Sequence, residues 1–172
     1  MRKVFSIAIS VAMFAIFAIV PVQAQAPTGC PPPVPGQSYN CTAHISNVTM
    51  SMPVTPIACP DGSTVPGGLL TATVDNGVFH LTINKAGDGW DTGTIEGGFV
   101  FLADTGVTYT GHMVQWFGDS FNNQNTVSHF TGTYVGTGSD GSHLQLHFDF
   151  HLGWSATPSG PANFVFFMKT TC

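Results

Sequence analysis

The sequence predicts an all-β domain of about eight antiparallel strands in meander order, closed as an up-and-down barrel and stapled by disulfides, with a two-sheet β-sandwich as second choice. Three observations predict it. His143 to Leu152 alternates polar and apolar residues for its whole length, which puts His143, Gln145, His147, Asp149 and His151 on one face of a strand and Leu144, Leu146, Phe148, Phe150 and Leu152 on the other. Apolar runs recur along the chain with turn residues between them. Nothing from Pro27 to Cys172 repeats apolar residues at helical spacing.

Met1 to Ala24 reads as a secretory signal peptide: Arg2 and Lys3 precede an apolar run from Val4 to Val20, and Val22-Gln23-Ala24 is a small-residue exit suited to cleavage. The run approaches the length of a bilayer span, but the alanine-rich exit favours cleavage, so no integral membrane span is expected in the mature chain. Cys30 follows Ala-Pro-Thr-Gly rather than an apolar box, which argues against a lipid anchor. Residues 25–42 read as a proline-rich lead-in, because proline donates no ladder hydrogen bond. Residues 43–172 then form one all-β domain, long enough to build its own core.

Strand-like runs follow at Ala43 to Met52, Leu69 to Asp75, Val78 to Asn84, Thr94 to Ala103, Val107 to Phe117, Thr126 to Thr137, Ser142 to Trp154 and Asn163 to Thr171. The words between them, Asp75-Asn76-Gly77, Asp104-Thr105-Gly106, Ser139-Asp140-Gly141 and Ser159-Gly160-Pro161, favour tight turns, so consecutive strands are expected to pair. An outer-membrane barrel fits the strand count and low charge. Four cysteines, few tyrosines for an aromatic girdle and a non-aromatic last residue weigh against it.

After cleavage, two basic residues, Lys85 and Lys169, face nine acidic ones. Phosphate neutralisation needs Lys and Arg, so nucleic acid is excluded as a partner, and attraction to anionic membranes is disfavoured on the same ground. Cys30, Cys41, Cys59 and Cys172 are an even set in an exported chain and read as two disulfides, with three pairings open. In every pairing Cys172 reaches back to the N-terminal segment. No Cys-x-x-Cys spacing supports a zinc site.

Four words resemble catalytic blocks. Phe117-Gly118-Asp119-Ser120-Phe121 resembles the nucleophile block of the GDSL-type hydrolases, and Asp140-Gly141-Ser142-His143 their Asp-x-x-His block. The intervening Gly-x-Asn-Asp block is missing and the two words stand too close together, so a turn explains the second better. Asp91-Thr92-Gly93 and Asp104-Thr105-Gly106 resemble aspartic-protease triplets, but those come from separate lobes or subunits, and a hairpin turn is the better account. No P-loop, dinucleotide fingerprint or Gly-x-Ser-x-Gly elbow is present, so no cofactor is expected. Gly87 to Asp91 does not match an EF-hand. Asn40-Cys41-Thr42 and Asn47-Val48-Thr49 fit glycosylation sequons.

Two sets of site residues stand out. The first is a divalent-metal set, His147, Asp149 and His151, with His129 from the preceding strand. Positions two apart on a strand lie roughly 7 Å apart, so one ion can bridge neighbours on the strand but needs a further ligand from elsewhere. A two-residue turn at Asp140-Gly141 would set Leu152 opposite His129 and face it away; a one-residue change would set His151 there. A hydrogen-bonded polar face is the reading preferred over the metal site. The second set is Trp116 with Asn122 and Asn123, an aromatic platform and amides suited to a neutral polar ligand such as a glycan. The chain is therefore expected to be a secreted, non-enzymatic binding or structural module whose partner is a small polar ligand, a glycan or a protein. A metal-dependent enzyme, a hydrolase for instance, built on 143–151 is the alternative.

Overall fold

The computed structural model of the chain describes residues 30–122 and 124–155, and the backbone of 163–171. The segment read as a signal peptide, the first part of the expected lead-in, Asn123, the expected turn at Ser159-Gly160-Pro161 and Cys172 lie outside the described residues. The strands are β1 (Tyr39–Ile45), β2 (Val48–Val54), β3 (Ile57–Ala58), β4 (Thr64–Val65), β5 (Gly68–Ile83), β6 (Gly89–Ala103), β7 (Thr108–Phe121), β8 (Asn125–Gly138), β9 (His143–Ser155) and β10 (Asn163–Thr171). The all-β class and the antiparallel meander are as the sequence predicts. The main sheet runs β1-β5-β6-β7-β8-β9-β10, β2 also pairs with β5, and β3 and β4 form a separate ribbon. Among the described residues no ladder joins β10 to β1 or β2, so closure into a barrel is not found.

One turn expectation is corrected. Asp75-Asn76-Gly77 does not separate two strands; β5 runs through it, with a bulge between Val74 and Asn76 against β6. Gly77 pairs with Ile45, and a Cβ there would meet the Ile45 side chain at 2.5 Å, so this glycine serves a close approach and not a turn. At the same level the edge strand breaks between β1 and β2 at Ser46 and Asn47, and Asn47 takes a left-handed φ of 57°. These paired irregularities shift the alternation by one residue on both strands. Ala43 and Ile45 turn inward in β1 and Val48 and Met50 in β2, while β5 keeps Leu70, Ala72 and Val74 inward before the bulge and Phe79 after it.

Four hairpin loops are built alike. In each, three residues end in a glycine with φ between 83° and 91°: Gly62, Gly87, Gly106 and Gly141. The residue before the loop donates its N–H to the carbonyl of the residue after it, as Gly138 does to Ser142 at 2.7 Å. This is a type I turn closed by a glycine bulge. Asp61 and Asp140 brace two of these loops, each accepting from the N–H and hydroxyl of the serine two residues on.

The inner face carries the core. Leu70, Ala72, Val74, Ile95, Phe99, Phe101, Met113, Tyr134, Leu144 and Leu146 are buried in one cluster, with Cys59 and Val65 of the β3–β4 region joining it. Cys30 is bonded to Cys41 on β1, which ties the lead-in to the sheet edge. Cys59 is also disulfide-bonded. Strand β1 starts at Tyr39, within the segment read from sequence as lead-in. Among the described residues no helix is long and apolar enough to cross a membrane.

Candidate functional site

All seven histidines project from the outer face, away from the core: His44, His80, His112, His129, His143, His147 and His151 each alternate with inward residues on their strands. Four of them gather on two neighbouring strands. The β8–β9 ladder sets His129 opposite His151, Thr131 opposite Asp149, Thr133 opposite His147 and Thr137 opposite His143. The cause of this register is the loop at Ser139-Asp140-Gly141, which has three residues where a two-residue turn would have faced His129 inward.

The polar groups of these strands satisfy one another. Thr131 Oγ1 donates to Asp149 Oδ1 at 2.6 Å, and His147 Nε2 lies 3.4 Å from Asp149 Oδ2. The other ring nitrogen of His147 is 2.8 Å from Thr133 Oγ1. One row further along, His129 Nε2 and His151 Nε2 are in contact. His147 and His151 therefore do not share a centre through Asp149. Among the described residues no three His, Cys, Asp or Glu side chains are placed to hold one metal ion. Thr131 and Thr133 were not anticipated as partners of this row; the signal was the alternation His129-x-Thr131-x-Thr133, which repeats the polar face of β9.

Trp116 lies on the same outer face, 40% exposed, in line with Thr94 on β6 and Thr131 on β8. Its six-membered ring lies over Gly118, where a Cβ would come within 3.1 Å of it, and its edge meets the His129 ring with centroids 5.8 Å apart. On the other flank a shallow depression of about 120 Å³ is lined by Val78, His80, Thr92, Gly93, Thr94 and Trp116. His80 is held in place by Thr42 Oγ1 at 2.9 Å and Thr82 Oγ1 at 3.4 Å. Trp90, 51% exposed, stands on the same face of β6, opposite Ser120.

Of the amides expected beside Trp116, Asn122 is elsewhere and Asn123 lies outside the described residues. Asn122 follows the end of β7, six residues beyond Trp116 and so roughly 20 Å along the strand. Its Oδ1 accepts from the N–H groups of Gln124 and Asn125, both at 2.8 Å, and is committed to its own loop. Gln115 points to the core side and bonds the Tyr134 hydroxyl. The hydroxyl and imidazole groups around Trp116 come instead from Thr92, Thr94, Thr131 and His80, on strands that sequence alone could not bring together.

The catalytic resemblances dissolve on the sheet. Ser120 aligns with Val127 on β8 and His143 with Thr137, ten residues further on and so roughly 33 Å away. Asp104-Thr105-Gly106 is a hairpin loop, as expected. Asp91-Thr92-Gly93, also read as a turn, lies instead within β6, where the Phe117 ring packs over Gly93. The partner of Asp91 is Asp119, directly opposite on β7, whose N–H donates to Asp91 Oδ1 at 3.2 Å. Burial first, then the Asp119 charge, pushes the Asp91 carboxyl up to about 6. No family model, curated protein or solved structure matches the chain.

Proposed function

We propose that the chain is an exported, non-enzymatic binding module whose ligand lies on the outer sheet face against Trp116. The observation that carries this reading is a half-exposed indole whose six-membered ring reaches over Gly118, with Thr92, Thr94 and Thr131 beside it. The apolar C–H face of a sugar ring stacks on such an indole while its hydroxyls meet side-chain donors and acceptors. The depression is well below the roughly 300 Å³ at which enclosed small-molecule sites begin. A surface platform fits a neutral glycan, with Trp90 as a second aromatic on the same face. The scarcity of Lys and Arg favours a ligand without phosphate or sulfate groups.

Export is supported by the N-terminal pattern of residues 1–24 and by the Cys30–Cys41 bond, which belongs to oxidising compartments. Curling of the single domain at 43–172 towards a barrel is supported by the shared core, in which Met50 and Met52 of the β2 edge join the same cluster as Leu144 and Leu146 of β9.

Affinity electrophoresis of the mature chain against a panel of neutral polysaccharides tests the binding reading. At least one polymer is expected to retard the wild type, with Trp116→Ala weakening the interaction about tenfold or more and outward Val135→Thr leaving it intact. Retardation by none, or equal retardation of wild type and Trp116→Ala, would remove the basis for it.

A further inference from the structure

We infer that His129 and His151 form a two-imidazole clamp for a divalent transition-metal ion, zinc or copper, on the outer face beside Trp116. The site is distinct from the glycan platform, although Trp116 borders both. Both ligands belong to the metal set read from the sequence, and the β8–β9 register singles out this pair from it.

The geometry supplies what a chelate needs. The two residues are register partners on an uninterrupted β8–β9 ladder, so their backbones are held before any ion arrives. The two Nε2 atoms are in contact, and each carries a lone pair able to ligate an ion when its Nδ1 holds the ring proton. Imidazole nitrogens sit 2.0 to 2.1 Å from zinc, so two on one ion lie about 3 Å apart, and the rings, whose centroids are 3.4 Å apart at a tilt of 57°, must swing apart about their side-chain torsions to admit it. Both side chains are half-buried, which limits the rotamer freedom lost on binding.

The surroundings favour a cation. Asp149, one row along β9, places a carboxylate nearby, held by Thr131 and His147 and opposite Lys169 on β10 in the ladder. The whole chain is acidic, with a formal charge of −5. Among the described residues no third ligand converges, so the ion keeps water on its remaining positions and stays open to exchange. Imidazole donors suit zinc and copper and disfavour calcium and magnesium.

The test uses the mature chain with its disulfides intact, stripped of metal and titrated with zinc chloride or copper chloride alone. Calorimetry reads affinity, and quenching of Trp116 by copper, identified by comparison with Trp116→Phe, reads location, since the indole lies 5.8 Å from the His129 ring. Stoichiometric binding is expected, weakened roughly tenfold or more by either His129→Gln or His151→Gln and unchanged by His143→Gln or His147→Gln. Metal-free thermal unfolding of each variant confirms that it folds; if one does not, the other carries the test. Absence of binding to the wild type, retention in both clamp variants, or selective loss in His147→Gln would each overturn the assignment.

Discussion

Asp91 sits in an environment unlike that of an ordinary surface carboxylate. It faces inward on β6, between Gly89 and Gly93, with the like-charged Asp119 opposite. Its carboxyl is pushed from 3.8 to about 6, by burial first and by Asp119 second. The folded chain therefore holds a proton that the unfolded chain releases, and stability falls as pH rises from about 4 to 6, remaining lower above that window. Asp91→Asn removes this dependence. Urea unfolding across the same range is expected to show the variant gaining on the wild type as pH rises, by on the order of 1 to 2 kcal/mol at neutral pH. A constant difference between the two would mean that Asp91 titrates normally. The residue's presence was legible in the sequence, but its partner was not, because Asp119 is twenty-eight positions away and reaches it only through the β6–β7 register.

At the scale of the element, loops decide what faces what. The alternation of His143 to Leu152 was sufficient to assign the two faces of β9, since period two leaves no other arrangement. Whether His129 joined that face depended on one residue in the connection. The word Ser139-Asp140-Gly141 permits both two- and three-residue turns, and only the ladder discriminates between them. Asp75-Asn76-Gly77 shows the reverse problem: turn chemistry is present, but the packing of Ile45 against Gly77 and the bulge at Asp75 keep one strand running through it. Gly141 takes a φ of 83°, and a Cβ there meets nothing within 4 Å, so any cost of substitution is conformational. Gly141→Val is expected to lose about 1 to 3 kcal/mol in chemical denaturation, and Gly141→Asn clearly less, because asparagine tolerates the left-handed region. Equal losses would point to side-chain crowding instead.

For the whole molecule, chemistry is partitioned by face. The inner face holds the apolar cluster, and the outer face holds every histidine, the Thr-rich rows and two half-exposed tryptophans. The all-β class was readable, because it depends on residue totals and local pattern. The surface proposed for binding was not readable, because Trp116, Thr94, Thr131 and His80 come from four strands and are brought to one face only through registers set by loops and a bulge. The staple is likewise a property of the whole chain. Cys59 is disulfide-bonded and Cys30 and Cys41 are joined to each other. Non-reducing peptide mapping is expected to recover Cys59 linked to Cys172, and removing that link is expected to cost about 2 to 5 kcal/mol. A free Cys172 would contradict the expectation that the C-terminus is tied back to the start.

The central claim is that ligand binds on the outer face and leaves the inner face to the core. Amide and indole NMR of the mature chain, titrated with a soluble fragment of the polysaccharide that retards it, tests this most directly. Shifts are predicted at the Trp116 indole and at Thr92, Thr94 and Thr131. Shifts centred instead on inward residues such as Asp91, Asp119 and Phe117, with the Trp116 indole unmoved, would contradict it.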